Sequence, residues 1–284
     1  MPNLWTLGGL SIPQLLRRTA RESWQDAVFG QGGRMAFYHF LAIFPSLFVF
    51  LAISARIPHL ADHMKNTVQG LSAQMLPDQV SQLFQKTMAE VGQRTLTGVQ
   101  LIPVCAGAAW AFLNATWAMI YGLNRAYEVE ETRSWRELAV TIVGLTLSLA
   151  VTASVAVFLI FFGTYFQSYF HVSSIIVLLV KWTVVAVSLT LSFAILYRFA
   201  PNLRDCEWRW STPGALCALV LWLCATFVAR IYFEHINNYV SSYGRLNGVV
   251  ILLLWLYVTN GAILIGGEMN SEIEKAAAKR RKAA

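Results

Sequence analysis

Charge is what this chain has least of. Asp, Glu, Lys and Arg make up 13% of its 284 residues while 56% are hydrophobic; a soluble domain carries roughly 25% charged residues. So little charge excludes an ordinary soluble fold and predicts a membrane bundle. Cysteine is scarce as well. Cys105, Cys206, Cys217 and Cys224 follow no framework spacing, which argues against a disulfide scaffold or a thiolate metal site. The chain has no Gly-rich phosphate loop and no nucleophile elbow, so two common routes to nucleotide binding and hydrolysis are missing. Met1 to Leu16 lack the continuous apolar core and small-residue cleavage site of a removable signal. One cluster has ligand-like spacing: His59 and His63, with Asp62 between them, share a helix face. Without a further ligand it reads as a solvated pair. No catalytic residue, metal or cofactor is assigned.

What the chain does have is length without charge. Apolar runs at 33–55, 98–122, 138–162, 175–197, 213–232 and 248–267 are each long enough to cross a hydrocarbon core of roughly 30 Å at about 1.5 Å per residue. The last run follows the polar stretch Tyr239 to Asn247, with Tyr243 and Gly244 as an outer re-entry turn, and closes in Gly266-Gly267-Glu268-Met269-Asn270. Lys and Arg gather in alternate loops: Arg17, Arg18, Arg21 and Arg34; Arg125, Arg133 and Arg136; Arg198, Arg204 and Arg209; and Lys275, Lys279, Arg280, Arg281 and Lys282. The positive-inside rule then places both termini in the cytoplasm. The net charge of +7 is thus a topology signal and gives no reason to expect a nucleic-acid partner.

The expected fold is all-α: one polytopic membrane domain of six transmembrane helices, with amphipathic surface helices. Residues 1–32 form a basic segment whose Leu15, Leu16, Trp24 and Val28 alternate with arginines, suited to anionic lipid headgroups at the interface. Residues 56–97 form an outer loop of two amphipathic helices broken at Pro77-Asp78, and 268–284 form a basic tail. A turn after the third span, with Tyr165, Phe166, Tyr169 and Phe170, reads as an aromatic belt.

Within the spans, polar residues mark a candidate path. Gly107, Trp110, Asn114, Trp117 and Tyr121 recur at helical spacing, and Asn114 either bonds a neighbouring helix or lines a wet cavity. Tyr257, Asn260, Leu264 and Glu268 share another face. The two faces are expected to meet around a cavity, with His39 and the kink-prone Pro45 on the first span. Arg34, Arg125 and Glu128 form its cytoplasmic gate, and Glu268 is expected to pair with Arg125 or Arg34. Arg230 and Glu234, four apart, read as an outer-side pair.

Asp26 with Met35-Ala36-Phe37-Tyr38-His39-Phe40-Leu41-Ala42-Ile43-Phe44-Pro45, Leu123-Asn124-Arg125-Ala126-Tyr127-Glu128-Val129-Glu130, Tyr197, Pro201, Trp210, Pro213-Gly214-Ala215, and Tyr243-Gly244 with Gly248 to Tyr257 together resemble the YihY/BrkB family of bacterial inner-membrane proteins. Gly267-Glu268-Met269-Asn270 stands where that family usually shows Gly-Ala-Glu-Leu-Asn, and His39 stands where it commonly has an apolar or small residue. The resemblance implies a six-span fold in the cytoplasmic membrane. It also implies roles in envelope integrity, serum resistance or export of lipid A precursors. The family's old tRNA-processing ribonuclease label finds no catalytic group in this sequence. Three functions follow in order: transport or handling of a lipid or amphiphile, a non-transporting envelope scaffold, and a membrane enzyme. Exposed Gly and Ala on the second and third spans would also suit a homo-oligomer.

Overall fold

A computed structural model describes residues 4–54, 69–70, 78–92, 98–170, 173–203, 212–235 and 247–283. Among the described residues there are eight α-helices and no strand. They are α1 (Ile12–Gln25), α2 (Val28–Ser54), α3 (Asp78–Gly92), α4 (Gly98–Ala126), α5 (Trp135–Phe170), α6 (Ser174–Phe199), α7 (Pro213–His235) and α8 (Asn247–Ala283), preceded by a 3-10 helix at Leu4–Gly9. Four of them, α4, α5, α6 and α8, are long and apolar enough to cross a membrane. The chain is a multi-pass membrane protein.

Local sequence sets the helix ends. Ser11 and Pro13 open α1, where the Ser11 amide donates to Gln14 Oε1 at 3.2 Å. Asp26-Ala27 breaks the chain, with Ala27 at φ 51°, and α2 starts directly after it. Thr212 and Pro213 open α7, proline being suited to a first helical turn because its missing N–H is not needed there. Pro45 lies inside α2, which nevertheless runs on to Ser54.

Helix α8 is the centre. Half of its apolar window is buried (50%), against 11% for α5 and 6% for α6. It packs on α7, α2, α1, α3 and α4 and on the N-terminal 3-10 helix. At 37 residues it is about 55 Å long, so it continues well past the span predicted to end at 267. The expected basic tail is a helical extension: Met269, Ile273, Ala276 and Ala277 are buried, and Leu15 of α1 packs on Met269 and Ile273. The amphipathic N-terminal helix thus docks on protein through Leu15, while Ile12, Leu16 and Trp24 face outward. The aromatic turn expected after the third span is also helical, because α5 continues to Phe170. Of the two helices expected in the long loop, the second is α3. It tucks Val80 against Ala36, Ile251, Leu252 and Leu256. The first, with His59 and His63, lies outside the described residues.

Close backbone approach makes the centre. A Cβ on Gly32 would lie 3.3 Å from the Gly261 nitrogen, where α2 crosses α8. A Cβ on Gly266 would lie 2.5 Å from the Gly214 carbonyl and 2.9 Å from Ala218 Cβ, where α7 crosses it. Small residues at these crossings replace the hydrophobic driving force that lipid does not supply. Gly266→Ala is therefore expected to force α7 and α8 apart at a cost of about 1–3 kcal/mol. Gly107→Ala, whose added methyl meets nothing within 4 Å, should be neutral. Thermal unfolding in detergent checks this, and equal midpoints for the two variants would contradict the crossing.

Candidate functional site

The polar residues of α8 are more deeply buried than their surroundings require. Asn260 is 1% exposed, Glu268 0% and Asn270 1%. Asn260 Nδ2 donates to the Leu256 carbonyl at 2.8 Å, while its Oδ1 has no hydrogen-bond partner. His39 of α2 lies beside it. One helical face below, neither carboxyl oxygen of Glu268 is hydrogen-bonded, and Asp26 Oδ2 is also without a partner. Asp26 and Glu22 bring negative charge toward Glu268, and Lys275 brings positive. The site is thus a column of protonatable and amide groups between α2 and α8, ending in two facing carboxyls at the α1–α2 junction.

The predicted gate residues are close by but paired differently. Arg125, at the end of α4, reaches Asp26 with Nε–Oδ1 at 3.1 Å. Arg34 points outward and stacks on Tyr121, 4.9 Å from the ring centroid. The expected ion pair of Glu268 with either arginine is therefore corrected: both guanidiniums are engaged elsewhere. Lys275 bonds Glu128 at 2.9 Å and Glu272 at 3.2 Å.

The second correction concerns α4. Trp110, Trp117 and Tyr121 are 56%, 38% and 49% exposed, on the outer surface, and Asn114 donates to the Trp110 carbonyl of its own helix at 2.7 Å. The face turned inward lies one residue further on: Ala108, Ala111, Ala115 and Ala118 are buried, and Gly122 abuts Leu264 and Met35. Small side chains let α4 approach its neighbours, which pushes the bulky rings out. The face of Tyr257, Asn260, Leu264 and Glu268 thus meets α2 and the Gly122–Leu123 end of α4, not the aromatic stripe. A Cβ on Gly33 would lie 3.7 Å from the Tyr257 ring, whose centroid is 6.3 Å from that of Phe29. Pro45 lies further along α2. Tyr239, Tyr243 and Gly244 lie outside the described residues, and Arg230 and Glu234 are described in backbone only, in the last turns of α7.

Sequence reasoning missed the residues that hold the basic end together. Asn270 accepts from the Gly214 amide at 2.9 Å and donates to Thr212 Oγ1 at 3.0 Å, so α8 caps the start of α7. Tyr197 of α6 donates to the Ile263 carbonyl at 2.7 Å. Asn124 bonds Glu131 at 2.8 Å and accepts from the Asn202 amide at 2.8 Å. Arg133 grips Glu131 with both arms, at 2.7 and 2.6 Å, and donates to the Ala200 carbonyl at 2.9 Å. The available signal was an Asn or Tyr at the polar end of an apolar run, where a buried polar group must find a partner.

A cavity of about 690 Å³ lies between α5 and α6, with Thr141, Gly144, Leu145 and Ser148 on one side and Ile195, Arg198 and Phe199 on the other.

A family profile described as virulence factor BrkB matches residues 19–284. The chain belongs to the BrkB family. Among BrkB-like relatives, it is similar to the ribonuclease-like protein YfkH of Bacillus subtilis (strain 168), 29% identical over 86% of this chain and 90% of that one. It is also similar to the UPF0761 membrane protein IL2447 of Idiomarina loihiensis, 24% identical over 86% and 84%. A UPF0761 membrane protein of Psychromonas ingrahamii is 25% identical over 90% and 86%. No solved structure matches the chain. The segments Leu123 to Glu130 and Gly267 to Asn270, on which the family resemblance was read, supply the Asn124 and Asn270 bonds of this BrkB protein.

Two outcomes follow. Asn270→Ala strands the buried Gly214 amide and should cost about 1–3 kcal/mol, read as a lower unfolding midpoint in detergent; an unchanged midpoint would contradict the cap. The Arg133 guanidinium holds the Glu131 carboxyl below its usual value of 4.5. A depressed carboxylate contributes stability in full above that value and loses it as pH falls through the folded pKa. Acidification below about pH 4.5 should therefore loosen the α4–α5 connection in the native chain, and Glu131→Gln should remove that pH dependence. Hydrogen exchange of residues 124–133 measures it.

Proposed function

We propose that this chain is a six-span protein of the bacterial cytoplasmic membrane, with α2 and α7 as the remaining spans and both termini inside, that handles or moves a lipid-like amphiphile and is not an enzyme. The supporting observation is the pair of the buried Glu268 and the partly buried Asp26, in which both Glu268 oxygens and Asp26 Oδ2 are enclosed without an ordinary hydrogen-bond partner. An intramembrane or membrane-edge acid without a bonded partner is expensive to keep and marks a proton or substrate route. Two facing carboxyls can share one proton, and releasing it would alter the packing of α8 against α1 and α2. The basic segments around Arg17, Arg18, Arg21 and Arg280 suit anionic headgroups on the same side.

The second reading is an envelope scaffold. Its support is the Leu264–Gly122 contact, which fills the space where the α4 stripe was expected to line a cavity. The ribonuclease-like name of YfkH is not carried over to this chain: among the described residues no group of three His, Cys, Asp or Glu is placed to hold a metal.

The purified chain in phospholipid vesicles is expected to accelerate transbilayer movement of a fluorescent phospholipid. Glu268→Gln should slow that movement by about tenfold (about 1.4 kcal/mol) without lowering the melting midpoint. Vesicles with and without protein that scramble equally would defeat the lipid-moving reading. An active Glu268→Gln protein would remove Glu268 from the mechanism.

A further inference from the structure

We propose that the groove between α5 and α6 is a binding site for an anionic phospholipid, with Arg198 taking the headgroup phosphate and the apolar wall taking an acyl chain. The assignment deepens the lipid-handling reading and rests on it for any movement of the lipid; occupancy of the groove is a separate matter.

The donors around the groove identify Arg198 by the bonds they already make. Arg133 is spent on Glu131 and on the Ala200 carbonyl. The Asn202 side chain donates to the Glu130 carbonyl at 2.9 Å and to Thr132 Oγ1 at 2.8 Å. Thr141 donates to the Glu137 carbonyl and Ser148 to the Leu145 carbonyl, both at 2.9 Å. Arg198 lines the same cavity, has no carboxylate partner among the described residues, and lies over the Phe199 ring face, 5.3 Å from its centroid. A guanidinium with its donors unspent, in the last turn of a membrane helix, is matched by phosphate, which accepts from it in a fork.

The neighbouring carboxylates do not compete for it. Glu131 is gripped by Arg133, and Glu137 accepts from the Ser134 amide and hydroxyl at 2.7 and 2.9 Å. Arg133 also covers the last carbonyls of α6, which would otherwise repel an anion at a helix C-terminus.

The rest of the groove fits a chain and not a soluble anion. Its volume of about 690 Å³ lies within the usual range for ligand sites, about 300–1,000 Å³. Gly144 leaves open space within 4 Å of where its Cβ would stand. The helices on either side expose Val140, Val143, Leu147 and Val187, an apolar surface suited to lipid tails beside the groove. A headgroup at Arg198 with its tail along Gly144 and Leu145 satisfies both ends at once.

Native mass spectrometry of the full chain in neutral detergent tests the assignment, with phosphatidylglycerol, a diacylglycerol of the same chains, and inorganic phosphate as probes. Phosphatidylglycerol should bind at least tenfold more tightly than the diacylglycerol. Arg198→Gln should erase that difference, Arg198→Lys should restore part of it, and Gly144→Phe, which fills the groove, should weaken both lipids. The assignment is overturned if Arg198→Gln and Gly144→Phe both bind phosphatidylglycerol like the native chain. It is also overturned if inorganic phosphate competes as well as the lipid does, since a soluble anion would then suffice. Tight, Arg198-dependent binding combined with no lipid movement in vesicles would support the site and refute the transport reading alone.

Discussion

Everything in this bundle depends on how closely other helices can approach α8. In water, burying a Leu is favourable in itself; between helices in lipid the tails are as apolar as the side chains, and contact must come from packing and from polar bonds. Glycines allow that contact. Gly32 against Gly261, and Gly214 against Gly266, bring α2 and α7 onto α8 at backbone distance, and Gly122 seats Leu264 where α4 joins. Once those crossings are made, Tyr197 can reach the Ile263 carbonyl and Asn270 can reach the Gly214 amide. The hydrogen bonds are consequences of the close approach, and they then lock it.

The α5–α6 pair follows different rules. Its helices are as apolar as α8 yet far less buried, and Leu145, Leu149, Leu189 and Phe193 join them to the central core of Met35, Leu123 and Leu264. They are also tied to the rest by the Thr116–Thr146 hydroxyl pair at 2.7 Å in mid-helix and by a joint at the basic end, where Asn124, Glu131, Arg133 and Asn202 knit the α4–α5 link to the end of α6. The groove with Arg198 lies at that joint.

How much of this was legible follows from what each signal encodes. Length and missing charge encode a helix in a membrane, and four of the runs are helices long and apolar enough to cross one, with ends displaced where polar residues ride on a continuing helix, as at Glu268 in α8. They do not encode which face turns inward. On α4 an aromatic stripe and an alanine stripe run at the same period one residue apart, and the rings drew attention while the alanines did the packing. Charge pairing was equally underdetermined. Arg125 could have met any nearby acid, and the turn at Asp26-Ala27 decided for Asp26. Asn124 and Asn270 were visible as motif letters, but their bonds cross 78 and 56 residues of chain, beyond the reach of local spacing.

Two kinds of buried polar residue sit on α8, and the difference between them separates architecture from function. Asn270 uses its oxygen and its nitrogen on α7 and Thr212, so its burial is compensated and its role is to hold two helices together. Asn260 Oδ1, both oxygens of Glu268 and, across from it, Asp26 Oδ2 lack such a bond, while Asp26 Oδ1 is held by Arg125. Desolvating such groups costs about 1–3 kcal/mol for a neutral one and more for a charge, offset in part within the fold by His39 beside Asn260 and Asp26 beside Glu268. A purely structural helix would lose nothing by placing Leu or Ala there, as it does at Leu264 and Ala262 on the same turns. The open polar positions are thus a standing cost of the fold, and on the proposed lipid-handling reading a proton or a substrate group passing between α2 and α8 offsets it. The same reasoning applied to Arg198 points outward to the bilayer, whose phosphates are the nearest abundant acceptor for a guanidinium the protein leaves unused.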